Sequence, residues 1–135
     1  ITLDFAASYG SAYADAVENV AFRINDIDWG SGNHRDIVTV TAFDADGNAV
    51  DVTITPGAGM SIAGNTITSG NNAYGAASAG GSALIEIAGP VQQIVVSYAN
   101  GLTNTQGINI SDVHFDTIPP APGDDTITGD DGNDT

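Results

Sequence analysis

Short runs in which apolar and polar residues alternate dominate this chain. The alternation is clearest where Val38, Val40 and Ala42 are separated by threonines, and where Val and Ile alternate with polar residues over positions 50–55. A period of two predicts strands with one buried and one solvated face. No convincing amphipathic helix occurs, and the one candidate, residues 12–20, is short. Strands are predicted at residues 1–5, 20–27, 37–43, 50–55, 66–69, 83–87, 94–98 and 108–115, and residues 60–62 are a candidate for a short ninth.

Eight or nine short strands within residues 1–117 predict an all-β fold, a two-sheet β-sandwich of the jelly-roll type. The loop 44–48 has the turn residues of a hairpin connection. In the last predicted strand the alternation changes phase near Ser111 and Asp112, which predicts a bulge. Residues 118–122 are proline-rich and are expected to form a stiff, extended linker.

The charge of the chain is strongly one-sided. Seventeen acidic residues face two arginines and no lysine, for a formal net charge of −15. Such a surface repels nucleic acid and anionic membranes and suits a marine or otherwise salty medium, where screening is strong. Hydrophobic residues make up 41% of the chain, enough for a core, and there are no cysteines to form a disulfide. No apolar run is long enough to span a membrane.

The C-terminal residues 123–135 contain a nine-residue period. Gly123 recurs as Gly132 and Asp125 recurs as Asp134. The segment resembles about one and a half copies of the RTX, or haemolysin-type, repeat, a calcium-loaded parallel β-helix. The resemblance implies a secreted bacterial protein with Asp125 and Asp134 as Ca²⁺ ligands once further repeats stack on these. In isolation the segment is expected to be disordered, because several turns are needed for stability.

Two aspartates near the end of the second predicted strand are candidate metal ligands. Asp26 and Asp28 are two positions apart, so in a strand they share a face. Two carboxylates on one face repel each other unless a cation lies between them or the loop separates and solvates them. The sequence therefore leaves two readings open: a Ca²⁺ loop that is not an EF-hand, or an acidic strand end that turns into a glycine-rich loop.

Trp29, the single tryptophan, lies in that Gly/Ser/Asn-rich loop. An exposed indole stacks on the C–H face of a sugar ring, while amide, imidazole and guanidinium groups bond its hydroxyls. The alternative is that Trp29 folds back onto the sandwich core. The loop 70–75 has the same polar and aromatic character, although it is also compatible with a plain mobile loop. The candidate sugar-binding residues are Trp29, Asn33, His34, Arg35, Asn71, Asn72 and Tyr74.

The last strand, with the pattern I-x-I-x-D-V-x-F over residues 108–115, resembles the final strand of galactose-binding-like jelly rolls, the scaffold of many carbohydrate-binding modules. In those families an Asp at this point and a carboxylate on the first strand hold a structural Ca²⁺. The resemblance implies Asp112 and Asp4 as ligands. Residues 22–28 and 36–48 are similar to a strand and hairpin found in β-sandwich modules of large secreted bacterial proteins, which concerns architecture more than activity.

The sequence contains no motif for nucleophilic, zinc or phosphate chemistry, so a catalytic role is not expected. The leading interpretation is a non-catalytic, calcium-binding carbohydrate-binding module of a secreted protein. It is expected to be a monomer within a larger multidomain chain and to bind polysaccharide, with a neutral glycan favoured by the −15 charge. The main alternative is a structural or adhesive spacer that caps an RTX array and binds no small ligand. A third is a docking domain for a protein partner.

Overall fold

The computed structural model describes residues 1–120, which form two antiparallel sheets and, within that range, one short 3-10 helix at Ala79–Gly81. The strands are β1 (Thr2–Asp4), β2 (Val17–Asn25), β3 (Trp29–Gly30), β4 (His34–Phe43), β5 (Ala49–Val50), β6 (Thr53–Thr55), β7 (Ser61–Ala63), β8 (Thr66–Thr68), β9 (Ala83–Ile87), β10 (Gln93–Asn100), β11 (Asn109–Ile110) and β12 (His114–Thr117).

The first sheet follows the order β1-β10-β4-β8-β7, and β3 and β5 also pair with β4. The second sheet follows the order β11-β2-β9-β6, with β12 also paired to β2. The predicted two-sheet β-sandwich is therefore confirmed, in an arrangement compatible with a jelly roll. No helix among the described residues is long and apolar enough to cross a membrane.

The core lies between the sheets and is built from the alternation that the sequence shows. On β4, Val38, Val40 and Ala42 are buried, whereas the intervening threonines are only half-buried. Burying each of the two valine side chains contributes about 1.5–3 kcal/mol relative to leaving it exposed. The other buried apolar residues of this cluster are Val17, Val20, Phe22, Ile24, Ile27, Ile67, Ala83, Ile85, Ile87, Val91, Ile94 and Val96.

Three details of the strands differ from the sequence prediction. The predicted strand 50–55 is divided between the sheets, because β5 pairs with β4 and β6 pairs with β9. β2 begins at Val17, three residues before the predicted start, inside the segment 12–20 where no convincing helix was predicted, and it pairs with β9 and β12. The last predicted strand breaks where the alternation changes phase, into β11 and β12.

The connection between β4 and β5 is the predicted hairpin loop. The Asp44 carboxylate accepts hydrogen bonds from the backbone N–H groups of Asp46 and Asn48, both at 2.9 Å. Gly47 has a positive φ of 83°, which a residue without a Cβ adopts at little cost. Of the two C-terminal segments, the linker 118–122 lies partly, and the repeat 123–135 entirely, outside the described residues.

Candidate functional site

The inward face of β4 changes character along its length. The alternation that buries Val38 continues toward the start of the strand through Asp36 and His34, which are 0% and 9% exposed. A charged residue is almost never fully buried unless its charge is matched by partners. The buried polar side chains at the start of β4 therefore need specific hydrogen-bond or charge partners.

Asp28 meets Asp36 because the β3–β4 hairpin folds back on itself. β3 pairs with β4 with Trp29 opposite Arg35. One step further, the backbone N–H of Asp36 donates to the carbonyl of Asp28 at 3.1 Å, and the N–H of Asp28 donates to Oδ2 of Asp36 at 3.0 Å. Asp26 precedes this turn with a positive φ of 66°, a conformation that Asp tolerates better than most residues.

Both carboxylates are held by further contacts. Nε2 of His34 lies 2.7 Å from Oδ1 of Asp28, and the backbone N–H of Tyr74 donates to Oδ2 of Asp28 at 2.9 Å. The Tyr98 hydroxyl donates to Oδ1 of Asp36 at 2.6 Å. All four carboxylate oxygens thus have a polar partner in the protein, as buried acceptors require. We call Asp28, His34 and Asp36 the buried Asp/His cluster.

The cluster affects the ionisation of its neighbours. Burial raises the pKa of the Tyr98 phenol, and its hydrogen bond to Asp36 raises that pKa further, so Tyr98 remains a donor at physiological pH. Burial also raises the pKa of the Asp26 carboxyl above its usual value. The charges of Asp28 and Asp36 add to that increase in the pKa of Asp26, and His34 opposes it.

Outside the cluster, the hairpin and the loop 70–75 form one surface. The backbone N–H of Trp29 donates to the backbone carbonyl of Asn72 at 3.1 Å. The Arg35 guanidinium donates to the carbonyl of Ser69 at 2.7 Å and to the side-chain oxygen of Asn71. We call the surface formed by the hairpin residues 29–35 and the loop 70–75 the hairpin–loop surface. Six of the seven candidate sugar-binding residues of the sequence analysis lie at this surface, and the seventh, His34, is buried beneath it.

These seven residues differ in their access to solvent. Asn33, Asn71 and Asn72 are exposed, and Trp29, Arg35 and Tyr74 are half-buried. Trp29 is thus neither entombed in the core nor free on a loop, the two alternatives that the sequence left open. The Tyr74 ring packs directly on Gly80, where a Cβ would collide with it.

His34 does not lie where the sequence analysis expected it. Its ring is buried against Asp28, so it does not face a ligand on the hairpin–loop surface. The reason is the phase of β4: His34 shares the inward face with Val38, whereas Arg35 points to the other side. The imidazole supports the hairpin from beneath.

The expected calcium ligands are placed separately. Asp4 is exposed on β1 and accepts a hydrogen bond from the Gln93 amide at 2.9 Å, whereas Asp112 is exposed between β11 and β12 of the other sheet. Within residues 1–120, the side chains that lie close enough together to hold a metal ion are those of Asp28, His34 and Asp36. Neither Asp4 nor Asp112 belongs to this group. Of the expected pair Asp26 and Asp28, only Asp28 belongs to that group. Asp125 and Asp134 lie outside the described residues.

Sequence reasoning missed Asp36 and Tyr98. A signal for Asp36 was present, because the alternation of β4 runs back through it without a change of phase. No local signal identifies Tyr98, which is 62 positions from Asp36 in the chain. No family model, curated protein or solved structure matches this chain.

Proposed function

We propose that this domain is a non-catalytic, calcium-binding carbohydrate-binding module of a secreted bacterial protein. It would bind polysaccharide through the hairpin–loop surface. One observation carries the proposal: two loops with the residue types that bind sugars meet in the fold although they are separated by about forty positions. The backbone N–H of Trp29 joins them by donating to the Asn72 carbonyl.

The chemistry of the surface suits a sugar. The half-buried indole of Trp29 offers a fixed apolar face, and a rigid aromatic loses little conformational entropy when a sugar ring stacks on it. The exposed amides of Asn33, Asn71 and Asn72 provide donors and acceptors for ring hydroxyls. Because the surface is open and little area would be buried, modest affinity is expected.

Charge narrows the ligand class. The chain has a formal net charge of −15, of which −10 lies in residues 1–120, so it repels an anionic polysaccharide. Arg35 is the one cationic side chain on the hairpin–loop surface, and its guanidinium already bonds Ser69, Gly70 and Asn71. A neutral glycan is therefore the favoured ligand.

Calcium remains part of the proposal at the sequence-predicted positions. Asp26 is half-buried beside the buried Asp/His cluster, and its pKa is raised first by burial and then by the negative charges of Asp28 and Asp36. This observation supports a cation near Asp26 and Asp28 more than one between Asp4 and Asp112, since the described contacts do not join the latter two.

The alternative of an inert spacer predicts an entombed Trp29 and no exposed aromatic on any loop. Trp29 is half-buried, and the segment between β1 and β2 exposes Tyr9 and Tyr13. These observations favour a binding module over the spacer.

The test is retardation of the 135-residue chain in native gels that contain neutral polysaccharides, β-glucans, mannans and galactans among them. We expect at least one polysaccharide to retard the wild type and Trp29→Ala to abolish that retardation. Tyr9→Ala is the matched control, because Tyr9 is a fully exposed aromatic away from the hairpin–loop surface. Retardation of Trp29→Phe should survive in part, since a smaller ring still stacks.

Two results would contradict the proposal. One is an absence of retardation by every polysaccharide tested, which is the outcome for a spacer. The other is equal retardation of the wild type and a folded Trp29→Ala variant, which would place the sugar elsewhere on the domain.

A further inference from the structure

We propose that the buried Asp/His cluster is a binding site for one divalent transition-metal ion, with Asp28, His34 and Asp36 as ligands. The site lies beneath the hairpin–loop surface and does not depend on glycan binding. It shares Asp28 with the calcium positions that the sequence suggested, but its other ligands, His34 and Asp36, and the type of ion are different.

The ligand geometry is close to what such an ion needs. One oxygen from each carboxylate and one ring nitrogen of His34 lie within 4.8 Å of one another. Zn²⁺ and similar ions bind nitrogen and carboxylate oxygen at about 2.0–2.2 Å, so two ligand atoms on one ion are separated by at most about 4.2 Å. Small side-chain rotations are enough to close the remaining difference.

The charge of the cluster also calls for a cation. Asp28 is 5% exposed and Asp36 is 0% exposed. Removing two carboxylates from water is costly unless positive charge accompanies them. The two arginines bond elsewhere, Arg35 to Ser69 and the loop 70–75 and Arg23 to Ser82. His34 can compensate at most one of the two negative charges, whereas a divalent ion bound to the neutral imidazole balances both carboxylates.

An independent observation comes from Ser69. Its hydroxyl oxygen is buried and has no hydrogen-bond partner among the described residues, and the residue is 3% exposed. Ile37 pairs with Thr68, and the N–H of Ser69 donates to the carbonyl of Asp36 at 3.0 Å. Ser69 and Asp36 are thus neighbours across the β4–β8 ladder and point to the same buried face. An unsatisfied oxygen on the same buried face as the Asp36 side chain is suited to complete the coordination of an ion.

The surroundings of the His34 nitrogen agree with this assignment. Nε2 lies 2.7 Å from Oδ1 of Asp28 and 3.3 Å from the side-chain amide of Gln106. A neutral ring nitrogen carries either a proton or a lone pair, and the orientation of a Gln amide is set by its partners. The Gln106 atom at 3.3 Å is the amide nitrogen, and a flip of that amide would bring three lone-pair atoms together, as around a metal ion.

The nitrogen ligand selects the class of ion. Calcium takes oxygen ligands almost exclusively, whereas imidazole together with carboxylate suits zinc and other first-row ions; manganese also accepts carboxylate-rich sites. We therefore assign the site to Zn²⁺ or Mn²⁺.

The experiment uses the full 135-residue chain, stripped with EDTA and dialysed separately against Zn²⁺, Mn²⁺ and Ca²⁺. We expect bound Zn²⁺ or Mn²⁺ at one ion per chain, and a higher melting temperature, because an ion that binds only the folded state stabilises it. His34→Gln should weaken that binding by about tenfold or more. His114→Gln should not, because His114, the other histidine, is exposed on β12.

A spectroscopic measurement keeps the test decisive if His34→Gln does not fold. Pulsed electron paramagnetic resonance of the Mn²⁺-loaded wild type should show coupling to an imidazole nitrogen. Binding of Ca²⁺ alone, equal Mn²⁺ and Zn²⁺ affinity in the wild type and a folded His34→Gln variant, or bound Mn²⁺ without nitrogen coupling would each overturn the proposal. Segment 123–135 contains acidic residues but no histidine. Coupling to an imidazole nitrogen therefore also distinguishes Mn²⁺ bound in the cluster from Mn²⁺ bound to that segment.

Discussion

Among single residues, Gly30 is constrained by the side chain that packs on it. A methyl group on Gly30 would lie 2.8 Å from Cε1 and 3.0 Å from Nδ1 of His34. Gly30 is opposite His34 in the β3–β4 pair, so the imidazole has no room to move toward the hairpin. The absence of a Cβ at this position lets the ring approach the hairpin backbone closely while Nε2 contacts Asp28.

Replacing Gly30 with alanine should therefore destabilise the domain. The ring of His34 would have to rotate away from Asp28, with a loss of about 1–3 kcal/mol in the free energy of unfolding, the usual effect of overpacking. Urea denaturation followed by tryptophan fluorescence would measure the change. Gly75→Ala is the control, because a Cβ there meets nothing within 4 Å. Equal unfolding midpoints for the two variants would show that the ring is not confined.

At the scale of secondary-structure elements, β4 links the core to the candidate site. Its C-terminal half provides apolar residues to the sandwich, and its N-terminal half provides His34 and Asp36 to the buried cluster. Arg35, on the opposite face of the same strand, fixes the loop 70–75 through Ser69, Gly70 and Asn71. One strand thus positions the cluster on one side and the hairpin–loop surface on the other.

Arg35→Lys should loosen the loop 70–75 and leave the sandwich folded. A lysine ammonium is a single point on a flexible stem and cannot reach the Ser69 carbonyl and the Asn71 side chain together as the planar guanidinium does. Losing these bonds should accelerate amide hydrogen exchange of residues 70–75 by roughly tenfold, equivalent to about 1.4 kcal/mol of local stability.

Hydrogen-exchange mass spectrometry would measure the exchange rates of residues 70–75, and Arg23→Lys is the control. Arg23 is the other arginine of the chain and bonds Ser82 instead of the loop. If residues 70–75 exchange at the same rate in the wild type and Arg35→Lys, the guanidinium does not hold the loop.

For the whole molecule, charge is the dominant feature that packing does not explain. Of the formal net charge of −15, −10 belongs to residues 1–120, where twelve acidic residues face two arginines; the other five acidic residues lie in segment 123–135. Self-repulsion of this kind opposes the compact state, and salt screens it. The domain is therefore expected to be most stable at high ionic strength.

The melting temperature should rise when NaCl is increased from about 0.02 M to about 0.5 M with a chelator present. Relief of about 1 kcal/mol of repulsion corresponds to roughly 3–6 °C in a domain of this size. The control is a variant with Asp46, Asp51 and Asp112, all exposed, replaced by asparagine, which has a net charge of −12. Its melting temperature should respond less to NaCl; a larger response, or a wild type insensitive to salt, would contradict the expectation.

Much of the fold follows from local patterns in the sequence. The alternation over Val38–Ala42 predicts which side of β4 is buried, and the loop 44–48 predicts its hairpin, because side-chain direction and turn conformation depend on a few adjacent residues. The division of residues 50–55 between two sheets does not follow, since the alternation of a strand says nothing about which strand pairs with it.

For the candidate site, too, some features follow from the sequence and others only from the tertiary structure. The sequence by itself determined a β-sandwich and two loops rich in polar and aromatic residues, because those features come from residue type and spacing. Only the tertiary structure joined the two loops at Trp29 and Asn72, buried His34, and brought Tyr98 to Asp36 across 62 positions of chain. Such contacts are set by the order of strands in the sheets, which depends on the free energy of the whole packed molecule and on no local pattern.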